Sequence, residues 1–187
     1  MEIEIKVKID KVKSLLDFLK KNAKLVGTAY QIDKYFTPAH RDFLKVRPAK
    51  EWLRLRNENG EYSINYKNWY YDKDGKTNYC DEHETKVEDL GILEKIFKAL
   101  DVKEITVVDK KRQVWMYKDY EIGIDEVKNL GNFVEIEYKS KKKVDPQKIT
   151  EEMINFLKEV GCGEIQRNYQ GYPFLLLFPH EAKFEKQ

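Results

Sequence analysis

Cysteine is scarce in this chain, two in 187 residues, and neither Cys80 nor Cys162 belongs to a C-x-x-C pair. That excludes a disulfide framework and a thiolate zinc site, and it fits a reducing compartment. Histidine is also rare, and His40, His83 and His180 lack the i, i+4 spacing of a helical metal pair. Five prolines and nine glycines are too dispersed to form a linker, so one domain over residues 1–187 is expected. The long apolar run, Phe174 to Phe178 beside Pro173 and Pro179, is far too short to span a bilayer, and no signal-peptide pattern precedes the first strand. A soluble, cytoplasmic protein is therefore expected. Nor does one sign of charge dominate: 35 Lys and Arg against 33 Asp and Glu leave +2. Nucleic acid and anionic membrane are thus not the expected partners.

Charge itself is abundant. Asp, Glu, Lys and Arg make up 36% of the chain, against about 25% in an average domain, and such Lys/Glu usage is also what a hyperthermophile surface shows. Its placement is regular. Glu2-Ile3-Glu4-Ile5-Lys6-Val7-Lys8-Ile9 alternates charged with aliphatic β-branched residues, which in a strand puts all the charges on one face. Two carboxylates at that spacing can share a divalent cation or take one each, and the lysines beyond them can meet the anion that the metal brings. The plainer reading is a half-buried strand with a solvated charged side.

Similar strands follow. Asp10 is placed to cap a helix through Asn22, with Val12, Leu15, Leu16 and Leu19 on one face. Gln31 to Thr37 reads as a strand, and His40 to Lys50 as a long loop of the kind that often serves as a lid. Trp52 to Arg56 and Glu61 to Trp69 form a hairpin across Asn57-Glu58-Asn59-Gly60, and Asp72-Lys73-Asp74-Gly75 turns the chain into a strand over Tyr79 to Val87. Helical periodicity marks Glu88 to Leu100, and a third helix runs from Pro146 to Val160 with Gly161 as its stop. Between these lie strands over Ile105 to Tyr117, Tyr120 to Val127 and Phe133 to Lys139. They carry Lys110 and Arg112, then Asp125, then Glu135, Glu137 and Lys139. Lys110 and Lys139 read as solvated rim charges.

About eight strands and three amphipathic helices make an α+β protein. The helices must cover the aliphatic rows, which leaves two readings of the charged rows. In an open sheet they face water; in a sheet that curls closed they line a polar interior, where metal, water and a polyanion would offset their lost hydration. Composition and periodicity do not choose between them.

Several motifs bear on the choice. Glu2-x-Glu4-x-Lys6, Leu53-Arg54-Leu55-Arg56, Lys67, Lys111-Arg112 and the stretch from Ile124-Asp125-Glu126-Val127 through Leu130-Gly131-Asn132-Phe133-Val134-Glu135-Ile136-Glu137 resemble the CYTH, or triphosphate-tunnel, family. That group includes class IV adenylyl cyclases, thiamine triphosphatases and inorganic triphosphatases. The resemblance implies an antiparallel, eight-stranded closed barrel with helices outside and a triphosphate substrate within. Carried over, it implies Mg²⁺ or Mn²⁺ on Glu2, Glu4, Asp125, Glu135 and Glu137. Lys6, Lys8, Arg54, Arg56, Lys67 and Arg112 would then be the phosphate contacts. Lys6 also stands as a candidate catalytic residue. Glu82 and Glu84 are weaker candidates for substrate binding, since the arginine that family members often carry before these acids is replaced here by Cys80. Where cyclase-like members have Ser-Tyr and a leucine pair, this chain has Arg167-Asn168-Tyr169-Gln170-Gly171-Tyr172, so Tyr169 is a candidate catalytic group beside a structural reading. The expected activity is a metal-dependent adenylyl cyclase, with a triphosphatase as one alternative and a non-catalytic nucleotide- or polyphosphate-binding module as another. A homodimer is compatible with all three.

Overall fold

The computed structural model describes residues 3–71, 73, 77–140 and 144–187, with the backbone alone at 77–79. In chain order the elements are β1 (Ile3–Ile9), α1 (Val12–Asn22), β2 (Lys24–Thr37), a 3-10 turn at Phe43–Lys45, β3 (Glu51–Glu58), β4 (Glu61–Tyr71), β5 (Thr77–Val87), α2 (Leu90–Ala99), β6 (Lys103–Tyr117), β7 (Tyr120–Val127), β8 (Gly131–Tyr138), α3 (Pro146–Val160), β9 (Ile165–Asn168), α4 (Tyr172–Leu177) and β10 (Phe184–Lys186). The α+β class and the antiparallel pairing agree with the alternating pattern. The chain divides into two compact units, the first of Met1–Ala29, Lys110–Gln170 and Lys183–Gln187, the second of Tyr30–Asp109 and Gly171–Ala182.

In the first unit the strand order is β10-β9-β1-β8-β7-β6. Ile3, Ile5, Val7 and Ile9 all point into a core, where they meet Leu15 and Leu19 of α1, Met153 and Leu157 of α3, and Ile122, Val134 and Ile136 of the neighbouring strands. This is the apolar row of the opening alternation, and its burial fixes the register, because a one-residue slip would turn the charged row inward. The helix ends are locally encoded. The Asp145 carboxylate accepts from the Gln147 N–H at 2.9 Å, Pro146 occupies the first turn, and Gly161 takes the left-handed conformation (φ +80°) that closes α3. At α1 the expected cap is absent: Lys11 holds the cap position, and Asp10 instead accepts from the Glu164 N–H at 3.3 Å. The backbone of Lys11 donates to Cys162 at 2.9 Å, so the turn after β1 is fastened to the end of α3.

The second unit has the order β2-β3-β4-β5, with α2 laid on Phe36, Leu55 and Ile64 through Phe97 and Leu93. Asp89 caps this helix by accepting from the Ile92 N–H at 2.9 Å. Residues 40–50 form the irregular loop that their polarity predicts, with one 3-10 turn at Phe43–Lys45 and two buried anchors. Phe43 and Ala49 are buried, the Thr37 hydroxyl accepts from the Phe43 N–H, and Arg41 pairs with Glu51 at 2.8 Å. The segment is packed down, and its apolar anchors are too sparse to show as a period.

The expectation of an eight-stranded closed barrel is corrected. There are ten strands, and their order has two ends, β10 and β5, so hydrogen bonds do not close the sheet among the described residues. At β1 the second edge pairs with β9 over Val7 to Ile9, and β9 in turn pairs with β10. Strands of four and three residues are too short for alternation to reveal them. No helix among the described residues is long and apolar enough to cross a membrane.

Candidate functional site

Register assembles the polar face of the first unit into rows. Glu4 of β1 lies opposite Glu137 of β8, which lies opposite Glu121 of β7; one row further, Lys6 lies opposite Glu135, which lies opposite Gly123. The next row sets Lys8, Phe133, Asp125 and Arg112 side by side. Gly123 lacks a side chain where the Arg112 guanidinium passes: a Cβ there would lie 3.7 Å from its Nε and Cζ. Arg112 reaches across β7 to donate to Glu135 while donating from Nε and Nη2 to both oxygens of Asp125, each at 2.6 Å.

Ion pairs fill this face. The Lys6 ammonium lies 2.8 Å from Glu135, Lys110 lies 3.1 Å from Asp125, and Lys139 lies 2.6 Å from Glu137 and 3.9 Å from Glu121. Lys8 lies over the Phe133 ring at 5.9 Å. Burial works to raise the Glu135 carboxyl, but Lys6, Arg112 and Lys110 outweigh it and hold it well below the usual carboxylate range. Asp125 is likewise lowered, burial being overcome by its Arg112 hydrogen bond and the Lys110 charge. For Lys6, burial pulls the pKa down while Glu135 and Glu4 push it up, and the net effect is upward. The central groups of this face are thus charged in the neutral range.

The second unit carries a different balance. Across β3, β4 and β5 one row is Arg54-Asn65-Glu84 and the next is Trp52-Lys67-Glu82. Asp33 of β2, 2% exposed, lies opposite Arg56 and accepts from its Nε and Nη2 at 2.7 Å each. Arg54 is buried, yet its contacts to Asp33 and Glu84 are long, 3.7 and 3.6 Å, and its Nε has no hydrogen-bond partner among the described residues. Its guanidinium retains donor capacity that an anion could use. Lys67 pairs with Glu82 at 3.1 Å, and Asn65 donates to Glu82 and Glu84 at 2.6 and 3.3 Å. Burial tends to raise Glu82, but Lys67 and Asn65 bring it below its ordinary value.

Arg56→Ala would leave the buried Asp33 carboxylate with only the longer Arg54 contact among its ion pairs described above and should cost about 3 kcal/mol. In urea unfolding the variant should show a lower midpoint at unchanged slope, whereas wild-type stability would mean that Asp33 relaxes to another partner.

The structure sorts the candidate residues as follows. Lys6, Arg112, Asp125 and Glu135 converge in one network, and Glu4 and Glu137 are register partners beside it. Asp125 is fully buried beneath Lys110 and Arg112, so here it is their counter-ion. Lys110, 4% exposed, is not the rim charge that its alternation suggests. Tyr169 is held by Glu185, its hydroxyl 2.6 Å from that carboxylate, with Arg167 over its ring. Glu82 and Glu84 are bound to Lys67, Asn65 and Ser63. Glu2 lies outside the described residues, as do Asp72, Asp74 and Gly75 of the predicted turn. Asp33 and Glu121 escaped notice because a lone acid in a strand carries no signal until register shows what it faces.

Among the described residues no three Asp, Glu, His or Cys side chains converge closely enough to hold a metal by themselves. The donor chemistry nonetheless fits Mg²⁺ or Mn²⁺. These hard ions take one or two carboxylates and complete their shell with water and substrate phosphates, which Glu4 and its register partner Glu137 can supply. The Lys139 ammonium already lies against Glu137 as a cation in that place.

The CYTH domain family model matches residues 1–172. The chain belongs to the CYTH family. This CYTH protein is 36% identical over 173 residues to a Methanocaldococcus jannaschii protein named "Putative adenylate cyclase", the match covering 90% of this chain and 96% of that one. A solved structure from Pyrococcus horikoshii is similar at a TM-score of 0.74 and 28% identity, covering 96% of this chain and 99% of its own. A Hippeastrum protein, described as a putative adenylyl cyclase with a dominant triphosphatase activity, shares the fold at a TM-score of 0.65 and 19% identity, covering 98% of this chain and 97% of its own.

Proposed function

We propose that this CYTH protein is a divalent-metal-dependent enzyme that processes a triphosphate substrate. The observation that carries the reading is the pairing of Glu4 with Glu137 next to the Lys6–Glu135–Arg112 network. A pure phosphate binder gains nothing from carboxylates that repel its ligand, whereas a metal turns them into contacts. Glu4 and Glu137, joined by Glu2 and Glu135, would hold Mg²⁺ or Mn²⁺, which when bound supplies Lewis-acid polarisation of phosphate oxygens. Lys6, Lys8 and Arg112 would donate to phosphate oxygens and stabilise charge as the leaving group departs. The raised pKa of Lys6 keeps it protonated through the neutral range, so it is not the general base, and the lowered pKa of Glu135 makes its carboxylate a weak proton acceptor.

The same parts serve two reactions. Attack by the ribose 3′-hydroxyl of ATP on the α-phosphorus releases pyrophosphate, and the name of the M. jannaschii relative favours this cyclisation. Attack by water on the terminal phosphorus is hydrolysis, the activity described as dominant for the Hippeastrum protein. The test is incubation with ATP, inorganic triphosphate and thiamine triphosphate, with Mg²⁺ or Mn²⁺, followed by product analysis. Cyclic AMP with pyrophosphate marks the first reaction, and orthophosphate from any substrate marks the second. Tight metal-independent binding without turnover would instead identify a binding module.

A further inference from the structure

Lys139, read from the sequence as a solvated rim charge, stands partly exposed but against a carboxylate of the charged face. It follows β8 directly, and its backbone N–H donates to the Asp119 carbonyl at 2.8 Å, so the ladder with β7 continues through it. That extension keeps its side chain on the face of Glu135 and Glu137, since residues two apart in a strand point the same way. The ammonium lies 2.6 Å from Glu137 and 3.9 Å from Glu121. Glu137 is the central member of the row Glu4-Glu137-Glu121, three carboxylates on three adjacent strands. Three neighbouring anions repel one another, and a cation placed among them relieves that repulsion.

We infer that Lys139 is an internal counter-ion of the metal-binding row, and that a divalent ion must displace its ammonium from Glu137 to bind. This rests on the reading of Glu137 as a metal ligand. The exposure of Lys139 fits displacement. The Lys139 side chain is 40% exposed, against 22% for Glu137, so it can leave to water without moving the backbone. Its four-carbon stem is flexible. The row is neutralised in part before any ion arrives, which lowers its affinity for a free divalent ion. A metal bound to triphosphate brings additional oxygen ligands and offsets the cost of displacing the lysine, so metal and substrate would enter together. The device thus favours the metal–triphosphate complex over either component alone.

Mn²⁺ binding without substrate tests this, followed by the loss of the free-ion paramagnetic resonance signal, with thermal unfolding as a control for the fold. Lys139→Gln should bind Mn²⁺ about fivefold more tightly than wild type, the scale of one exposed ion pair. Lys139→Arg should stay near wild type. Lys158→Gln, which removes one charge from α3, should also stay near wild type and so separates displacement from a general change in net charge. Equal or weaker binding by Lys139→Gln would overturn the inference. Identical binding by wild type and Glu137→Gln would instead overturn the assignment of Glu137 to the metal. If neither wild type nor Lys139→Gln binds Mn²⁺, both fail.

Discussion

Asp125→Asn is expected to destabilise the protein by about 3–5 kcal/mol, because it removes one partner of a buried charge network and leaves the other. Asp125 is fully buried and Lys110 is 4% exposed, and their contact at 3.1 Å shares its acceptor with the Arg112 guanidinium. Asparagine fits the space but carries no charge, so the Lys110 ammonium would have to stay charged beside a neutral amide, draw in water or lose its proton. For a chain of this length the loss corresponds to a fall in Tm of roughly 10 °C. The pH dependence has a definite sign. Asp125 and Glu135 both have folded pKa values below those of free carboxylates. The unfolded chain therefore takes up protons first on acidification, and the stability from these groups, complete above about pH 4–5, is lost as pH falls through the folded values. The gap between wild type and Asp125→Asn should accordingly be widest near neutrality and narrow below about pH 4. Calorimetric scans across that range check it, and a constant gap would show that the Asp125 charge is not what stabilises the network.

Glu137→Gln and Glu4→Gln should each lower turnover of the triphosphate substrate by about 10²- to 10⁴-fold while leaving Tm within a few degrees of wild type. The choice of Glu137 over Glu135 follows from their partners. Glu135 is held by both Lys6 and Arg112, so its neutralisation would remove an anionic partner from two cations at once and confound activity with folding. Glu137 pairs with Lys139, whose side chain is 40% exposed and can turn to water. A carboxylate that matters to catalysis and little to stability is what a metal ligand should be. Product release under saturating Mg²⁺ or Mn²⁺, paired with circular-dichroism melting, separates the two effects. Wild-type rates in both variants would remove Glu4 and Glu137 from the metal site.

The sequence by itself determined the local structure. Period-2 alternation in Ile3 to Ile9 assigned one face of β1 to the core and the other to charge, and that assignment holds because burying the aliphatic row costs nothing while burying the charged row would cost several kcal/mol per ion. The span of α3 was written in Pro146 and Gly161, whose backbone preferences act on their own turns. The motifs around Leu53 to Arg56 and Ile124 to Glu137 placed the chain in its family, and residues 1–172 match that family's model.

Only the tertiary structure decided which charges meet. Nothing local sets Lys6 opposite Glu135, because β1 and β8 are distant in sequence and their register is fixed by the packing of whole elements; Lys110 meets Asp125, and Asp33 meets Arg56, through the pairing of consecutive strands. The same holds for β9, whose four residues find their partner only when β1 presents an open edge. It holds for Asp10, which abandons the helix it precedes for the Glu164 backbone. A charged residue in a strand announces its face but not its partner. Whether it ends as a metal ligand, a phosphate contact or an internal counter-ion depends on what the next strand sets beside it.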